Sequence, residues 1–159
     1  MATVRGGNKG VLIVVDVQVG VVGEAREAPR VVGNVARAVE RARAGSVSVV
    51  WMQDADDELA LGSPAWQWMP EMVPADGEPL IHKHFNSSLE LTALEAELAR
   101  LGANHIVLAG AATHWCILAT ATATAFAALE RGYDLALIED SHGTAKAERV
   151  DFAAAGGVR

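Results

Sequence analysis

The sequence predicts a single α/β domain: a parallel, Rossmann-like sheet of about five strands in the order 3-2-1-4-5, with helices on both faces. Three observations carry this prediction. Short apolar runs rich in β-branched residues recur along the chain, as in "VLIVV" (11–15), "SVSVVWM" (46–52) and "HIVLA" (105–109). Segments with apolar residues at helical spacing separate them. The chain has 159 residues, enough for one buried core and too few for two, so the domain is read over residues 1–159. Alternating strands and helices give strands buried on both faces, which explains why the runs are continuously apolar.

The elements follow in order. Strand one is 11–15. The run 11–22 follows Arg5 and Lys9 as the core of a signal peptide would, but Asp16 and Gln18 interrupt it and no A-x-A pattern follows. It is also too short to span a membrane as a helix. Val31, Val32, Val35, Val39 and Ala42 recur at helical spacing, with Pro29 suited to the first turn and Gly45 to the stop. Strand two is 46–52. Residues 53–78 carry acids, Pro and Gly without a period and read as a long loop of the kind that often carries function.

"PLIHKH" (79–84) is a third, shorter strand. Thr92 and Glu95 form a capping-box pattern before Leu94, Leu98 and Leu101, and Gly102 ends that helix. Strand four is 105–109, followed by a long helix "HWCILATATATAFAALER" (114–131) stopped by Gly132. "DLALI" (134–138) is strand five. The tail "SHGTAKAERVDFAAAGGVR" (141–159) shows no sixth strand.

Composition excludes some functions. Hydrophobic residues make up 51% and charged residues 21%, a globular balance. The net charge of -7, with no basic cluster, argues against nucleic acid or an anionic membrane as partner. The chain's single cysteine makes no internal disulfide, which fits a reducing cytoplasm.

Chemistry in open parallel sheets collects at the carboxyl ends of the strands. Asp16 follows strand one, Lys83 stands near the end of strand three, and Cys116 follows strand four after a short loop. Each has a plain structural explanation: a turn-capping acid, a solvated surface charge, a small buried hydrophobe. Lys83 is set apart mildly, as one of three lysines among thirteen basic residues. Convergence of a carboxylate, an ammonium and a thiol on one edge makes joint coincidence less easy, but spacing alone leaves the functional and the structural readings both open. In the first turn of a helix, Cys116 would have its thiolate stabilised by free N–H groups. Gly110, Ala111 and Ala112 are small enough for a substrate to approach the backbone, whose amides could form an oxyanion hole.

With those residues in place, the sequence resembles the isochorismatase-like cysteine hydrolases, a superfamily that includes nicotinamidases and N-carbamoylsarcosine amidase. The resemblance covers residues 10–144 and rests on the D-x-Q of Asp16 and Gln18, the Lys83 block, and G-x-x-T-x-x-C ending at Cys116. It implies a catalytic triad of Asp16, Lys83 and Cys116 that hydrolyses a C–N bond of a small amide or carbamoyl-type substrate through a thioester. It further implies an oxyanion hole at the amides of Ala112 and Cys116, and a cis peptide between Ala111 and Ala112. Gln18, Asp54, Leu89, His114 and Trp115 become candidate pocket residues. Trp115 fits a pocket wall or the core equally, and His114 fits a capping role better than acid–base work. The resemblance implies homo-oligomers, dimers or tetramers, and the small-residue stretch "ATATAFAA" permits close helix packing.

Departures from the family pattern matter. Nicotinamidases keep a D-x-H metal motif after strand two, where this chain reads "QDADDE" with no histidine from 53 to 81. No metal and no cofactor are therefore expected. Many relatives without metal have a histidine where Asp54 stands. His82 and His84 flank Lys83 and on a strand face away from it. Leu89 occupies a position that is usually aromatic. Trp66 and Trp68 fit either a roof over the site or a subunit contact. The altered pocket and the unmatched tail keep a second reading open: a catalytically silent binding or assembly module. A nucleotide-binding reading fails because "DVQVGV" replaces any G-x-G-x-x-G after strand one.

Overall fold

The structure is a computed structural model that describes residues 9–23, 27–110 and 116–138; over 116–121 it describes the helical backbone alone. Strand β1 (Lys9–Val15) lies at the centre of the sheet, between β2 (Ser48–Asp54) and β4 (Ala103–Gly110). Strand β3 (Leu80–Lys83) pairs with β2, and β5 (Asp134–Leu137) with β4. All these pairings are parallel, and the order β3-β2-β1-β4-β5 is the expected one.

Side-chain alternation along the strands builds two cores. Leu12, Val14, Val49, Trp51 and Ala109 pack with Val31, Val35 and Val39 of α2 (Ala28–Ala44). Val11, Ile13, Val50, Met52, Ile106 and Leu108 face the other way, onto Leu94 and Leu98 of α3 (Leu94–Leu101) and Ala128 of α4 (Cys116–Glu130). Each fully buried Val, Leu or Ile contributes about 1.5–3 kcal/mol, so both faces of the sheet must be covered. Pro29 lies in the first turn of α2 and Gly45 caps its end. Gly102 closes α3 at φ 67°, where a side chain would be strained.

Three local expectations are corrected. The capping box does not form. Ala93 is the N-cap of α3, while the Thr92 hydroxyl donates to the Ser88 carbonyl and accepts from the Leu94 N–H. Glu95 pairs with Arg131 at 3.3 Å rather than reaching back to the cap. Strand β2 begins at Ser48, after a turn with Ser46 at φ 56°. A short helix α1 (Val19–Val22) follows β1, where the apolar run alone suggested no helix.

The long loop after β2 folds back across the carboxyl end of β1. The N–H groups of Val19 and Gly20 donate to the Gln67 and Ala65 carbonyls, and the Met69 N–H donates to the Val17 carbonyl. Trp68 meets Trp51 edge-on with ring centroids 5.2 Å apart, so it packs against the core. The loop's far end is clasped to α2. Glu78 accepts from Arg43 Nε and Nη2, from Trp51 Nε1 at 2.7 Å, and from the Ala75 N–H at 2.9 Å. Among the described residues no helix is long and apolar enough to cross a membrane. The tail in which no sixth strand was read lies outside the described residues.

Candidate active site

Asp16 directly follows the last residue of β1. Its φ is 53°, in the left-handed region that a residue with a side chain rarely adopts, and its N–H is tied to the Met52 carbonyl at 3.0 Å. Such outliers concentrate at functional sites because the surrounding structure must hold them. Asp16 is buried, and so is Lys83, which is 1% exposed.

Lys83 is the last residue of β3, whose residues alternate out and in. His82 and His84 are exposed and Lys83 is buried, as the alternation predicts. His82 meets Trp66 edge-on at 5.5 Å, and His84 Nδ1 pairs with the Ala55 carbonyl. The solvated-surface reading of Lys83 is thereby excluded. Its stem crosses the end of β2, and Nζ lies 2.9 Å from Asp16 Oδ2 and 3.6 Å from Asp54 Oδ2. Nζ also donates to the Phe85 carbonyl at 3.4 Å.

Burial pushes the Asp16 carboxyl up to about 6, although the Lys83 ammonium pulls the other way; the Asp54 charge adds to the rise. Among the described residues, Asp16 Oδ1 has no hydrogen-bond partner. A buried carboxylate with one oxygen on an ammonium and the other unpartnered is suited to accept a proton near neutral pH.

Gln18 is fully buried and hydrogen-bonds to main chain on two segments. Its Oε1 accepts from the Asp54 N–H, and its Nε2 donates to the carbonyls of Asp54 at 3.0 Å and Trp66 at 2.9 Å. Gln53 Nε2 donates to the same Trp66 carbonyl. These two amides fix the long loop and the end of β2 beside Asp16. Sequence reasoning missed this role. An amide two residues after a strand-end acid, within an otherwise apolar run, was the available signal. Leu89 is buried in the apolar cluster on the α3 side of the sheet. Among the described residues no group of three or more His, Cys, Asp or Glu is placed to hold a metal.

The route to the thiol starts beside Asp16. Val15 and Gly110 are register partners at the ends of β1 and β4, and Cys116 opens α4. A Cβ on Gly110 would lie 2.4 Å from the Val15 carbonyl oxygen, so glycine permits the two strand ends to touch. Ala111, Ala112, His114 and Trp115, the expected cis peptide and oxyanion hole, and the Cys116 side chain lie outside the described residues.

A five-stranded parallel sheet in the order 3-2-1-4-5 with helices on both faces matches the isochorismatase-like α/β fold. The chain belongs to that family: the model of the isochorismatase domain matches residues 10–157. A secreted isochorismatase effector of Verticillium dahliae is 30% identical over 127 residues, which are 76% of this chain and 63% of that protein. The chain thus spans less than two thirds of that relative's length. The crystal structure of N-carbamoylsarcosine amidase from Thermoplasma acidophilum superposes with a TM-score of 0.76 at 26% identity, over 91% of this chain and 87% of that one. An isochorismatase from Pseudomonas putida shares the fold with a TM-score of 0.77 at 23% identity, over 92% and 78% of the two chains.

Proposed function

We propose that this chain is a cysteine-dependent hydrolase that cleaves a C–N bond in a small amide or carbamoyl-type substrate. The observation that supports it best is the buried Asp16–Lys83 pair, 2.9 Å apart, beside the strand end that leads to Cys116. Asp16 takes the thiol proton: the S–H bond breaks and an O–H bond forms. The thiolate adds to the substrate carbonyl, and the amides of Ala112 and Cys116 hold the oxyanion. Asp16 returns its proton to the leaving nitrogen as the C–N bond breaks, giving a thioester. Water, deprotonated by Asp16, then releases the acid and restores the thiol. Lys83 stabilises the charged form of Asp16 throughout. In this reading Asp54, His114 and Trp115 line the pocket and Gln18 holds its wall, while Leu89, packed in the core on the α3 side, can only back it.

The amidase chemistry follows the likeness to N-carbamoylsarcosine amidase. A second reading, hydrolysis of a vinyl ether, is favoured by the relative named an isochorismatase. A screen of small amides, ureides and vinyl ethers separates them. Mass spectrometry of the quenched reaction should then show a covalent adduct on Cys116 during amide turnover. Turnover of a substrate by Cys116→Ala would refute the mechanism, and an intact protein that turns over none of these classes points to the silent binding module.

The same proposal treats residues 1–159 as one domain without metal or cofactor, acting on a small molecule and assembling as a homo-oligomer. Phe126 and Leu129 on α4 are 61% and 43% exposed, which gives assembly an apolar starting point. Light scattering reads the oligomeric state. The lone thiol favours the cytoplasm, whereas the Verticillium relative is named a secreted protein; fractionation of the source cells decides between them.

A further inference from the structure

Lys83 serves two carboxylates. Asp54 is the register partner of Lys83 across the β2–β3 ladder, and its Oδ2 lies 3.6 Å from Nζ. Its main chain is held on both sides, N–H and carbonyl, by the buried Gln18 side chain. Its own side chain is 25% exposed, against 4% for Asp16. Asp54 is therefore a fixed negative charge at the open side of a buried ion pair.

We propose that Asp54 is a positioning residue for proton transfer: its carboxylate draws on the Lys83 ammonium and so leaves Asp16 a stronger proton acceptor. The inference rests on the reading of Asp16 as the base. One ammonium shared by two carboxylates stabilises each less than it would stabilise one alone, and the second carboxylate also repels the charged form of the first. Asp16 Oδ1 makes no hydrogen bond among the described residues, and the Asp54 main chain offers only a minor counter-effect to its burial. The Asp54 charge is also among the causes that raise Asp16. Among the described residues, the charged and titratable groups that act on Asp16 are Lys83 from β3 and Asp54 from β2.

The test is a titration of the Asp16 carboxyl by carbon-13 NMR in the full chain, compared with Asp54→Asn and Asp54→Glu. Asn retains the main-chain groups that Gln18 holds, so the fold is kept. The Asp16 midpoint should fall by about one unit in Asp54→Asn and return in Asp54→Glu. With a substrate, the acid limb of the kcat/KM profile should shift down by a similar amount and the plateau should drop. An unmoved midpoint overturns the inference. So does a rise in KM with an unmoved pH profile, which would make Asp54 a substrate contact. A shifted midpoint without turnover of any substrate leaves the coupling of Asp54 to Asp16 standing and removes the hydrolase reading on which its catalytic use rests. Turnover with an unmoved midpoint does the reverse.

Discussion

Lys83 Nζ and Asp16 Oδ2 lie 2.9 Å apart, brought together from β3 and from the end of β1 with β2 between them, and both residues are buried. Isolating two charges from water costs several kcal/mol per ion, and their attraction often fails to offset it. The raised Asp16 carboxyl shows that burial outweighs Lys83 for this acid. On this account the pair adds little net stability to the fold.

That statement has a stability consequence. Removing one partner strands a buried charge, so Lys83→Met should destabilise by about 3–5 kcal/mol. Replacing both, as Asp16→Leu with Lys83→Met, should be neutral or stabilising by about 1–4 kcal/mol while abolishing activity. Urea unfolding of the three variants checks this. A double variant weaker than Lys83→Met would show that the pair stabilises the fold.

A pH consequence follows from the same group. The folded Asp16 binds its proton more tightly than the unfolded chain does, because its pKa rises from 3.8 to about 6. Its contribution to stability is therefore full below the unfolded value and is lost as pH rises through the folded one. Against Asp16→Asn, the wild type should lose on the order of 3 kcal/mol across that window. Unfolding curves at several pH values measure the difference. A flat difference across the window would contradict the raised carboxyl.

Glu78 behaves in the opposite sense. Its hydrogen bonds with Arg43 hold its carboxyl down to about 2, so its contribution is present above the unfolded value of 4.5 and is lost as pH falls. Glu78→Gln should cost about 1.5–3 kcal/mol at neutral pH, since it weakens charged hydrogen bonds to Arg43, Trp51 and Ala75. Proteolysis should then cut the 53–78 loop sooner. Unchanged cleavage would show that the clasp does not hold the loop.

Gly110 tests the route to the thiol. Gly110→Ala places a Cβ 2.4 Å from the Val15 carbonyl oxygen, a backbone atom that cannot swing aside. The strand ends must separate, at about 1–3 kcal/mol. Small displacements of catalytic groups can lower rates by about 100-fold, so kcat/KM should fall far more than stability. Equal activity in Gly110→Ala would show that this contact does not position Cys116.

The main architecture was legible because its signals are local. "VLIVV" could be little but a buried strand, and alternation put His82 and His84 on the opposite face from Lys83, though not which of the two faces was buried. Asp16 and Lys83 were recognisable as strand-end groups, and their contact followed once the sheet order was known. Other features depend on partners far along the chain. Gln18 binds Asp54 and Trp66, 36 and 48 residues away, and no local pattern announces that. The capping box failed because the Thr92 hydroxyl turns to the Ser88 carbonyl, four residues back, and Glu95 to Arg131, 36 residues on. Helix α1 has four residues, too few to display a period.

The rate at which iodoacetamide alkylates the chain's single thiol, followed against pH in the wild type and in Asp16→Asn, tests most directly whether Asp16, Lys83 and Cys116 act together. A free thiol titrates near 8.5, at about one ionised in thirty at neutral pH. Cys116 should react faster than that at neutral pH in the wild type, and Asp16→Asn should change its pH profile. A Cys116 that titrates at or above the free-thiol value, with a profile indifferent to Asp16→Asn, would contradict the triad.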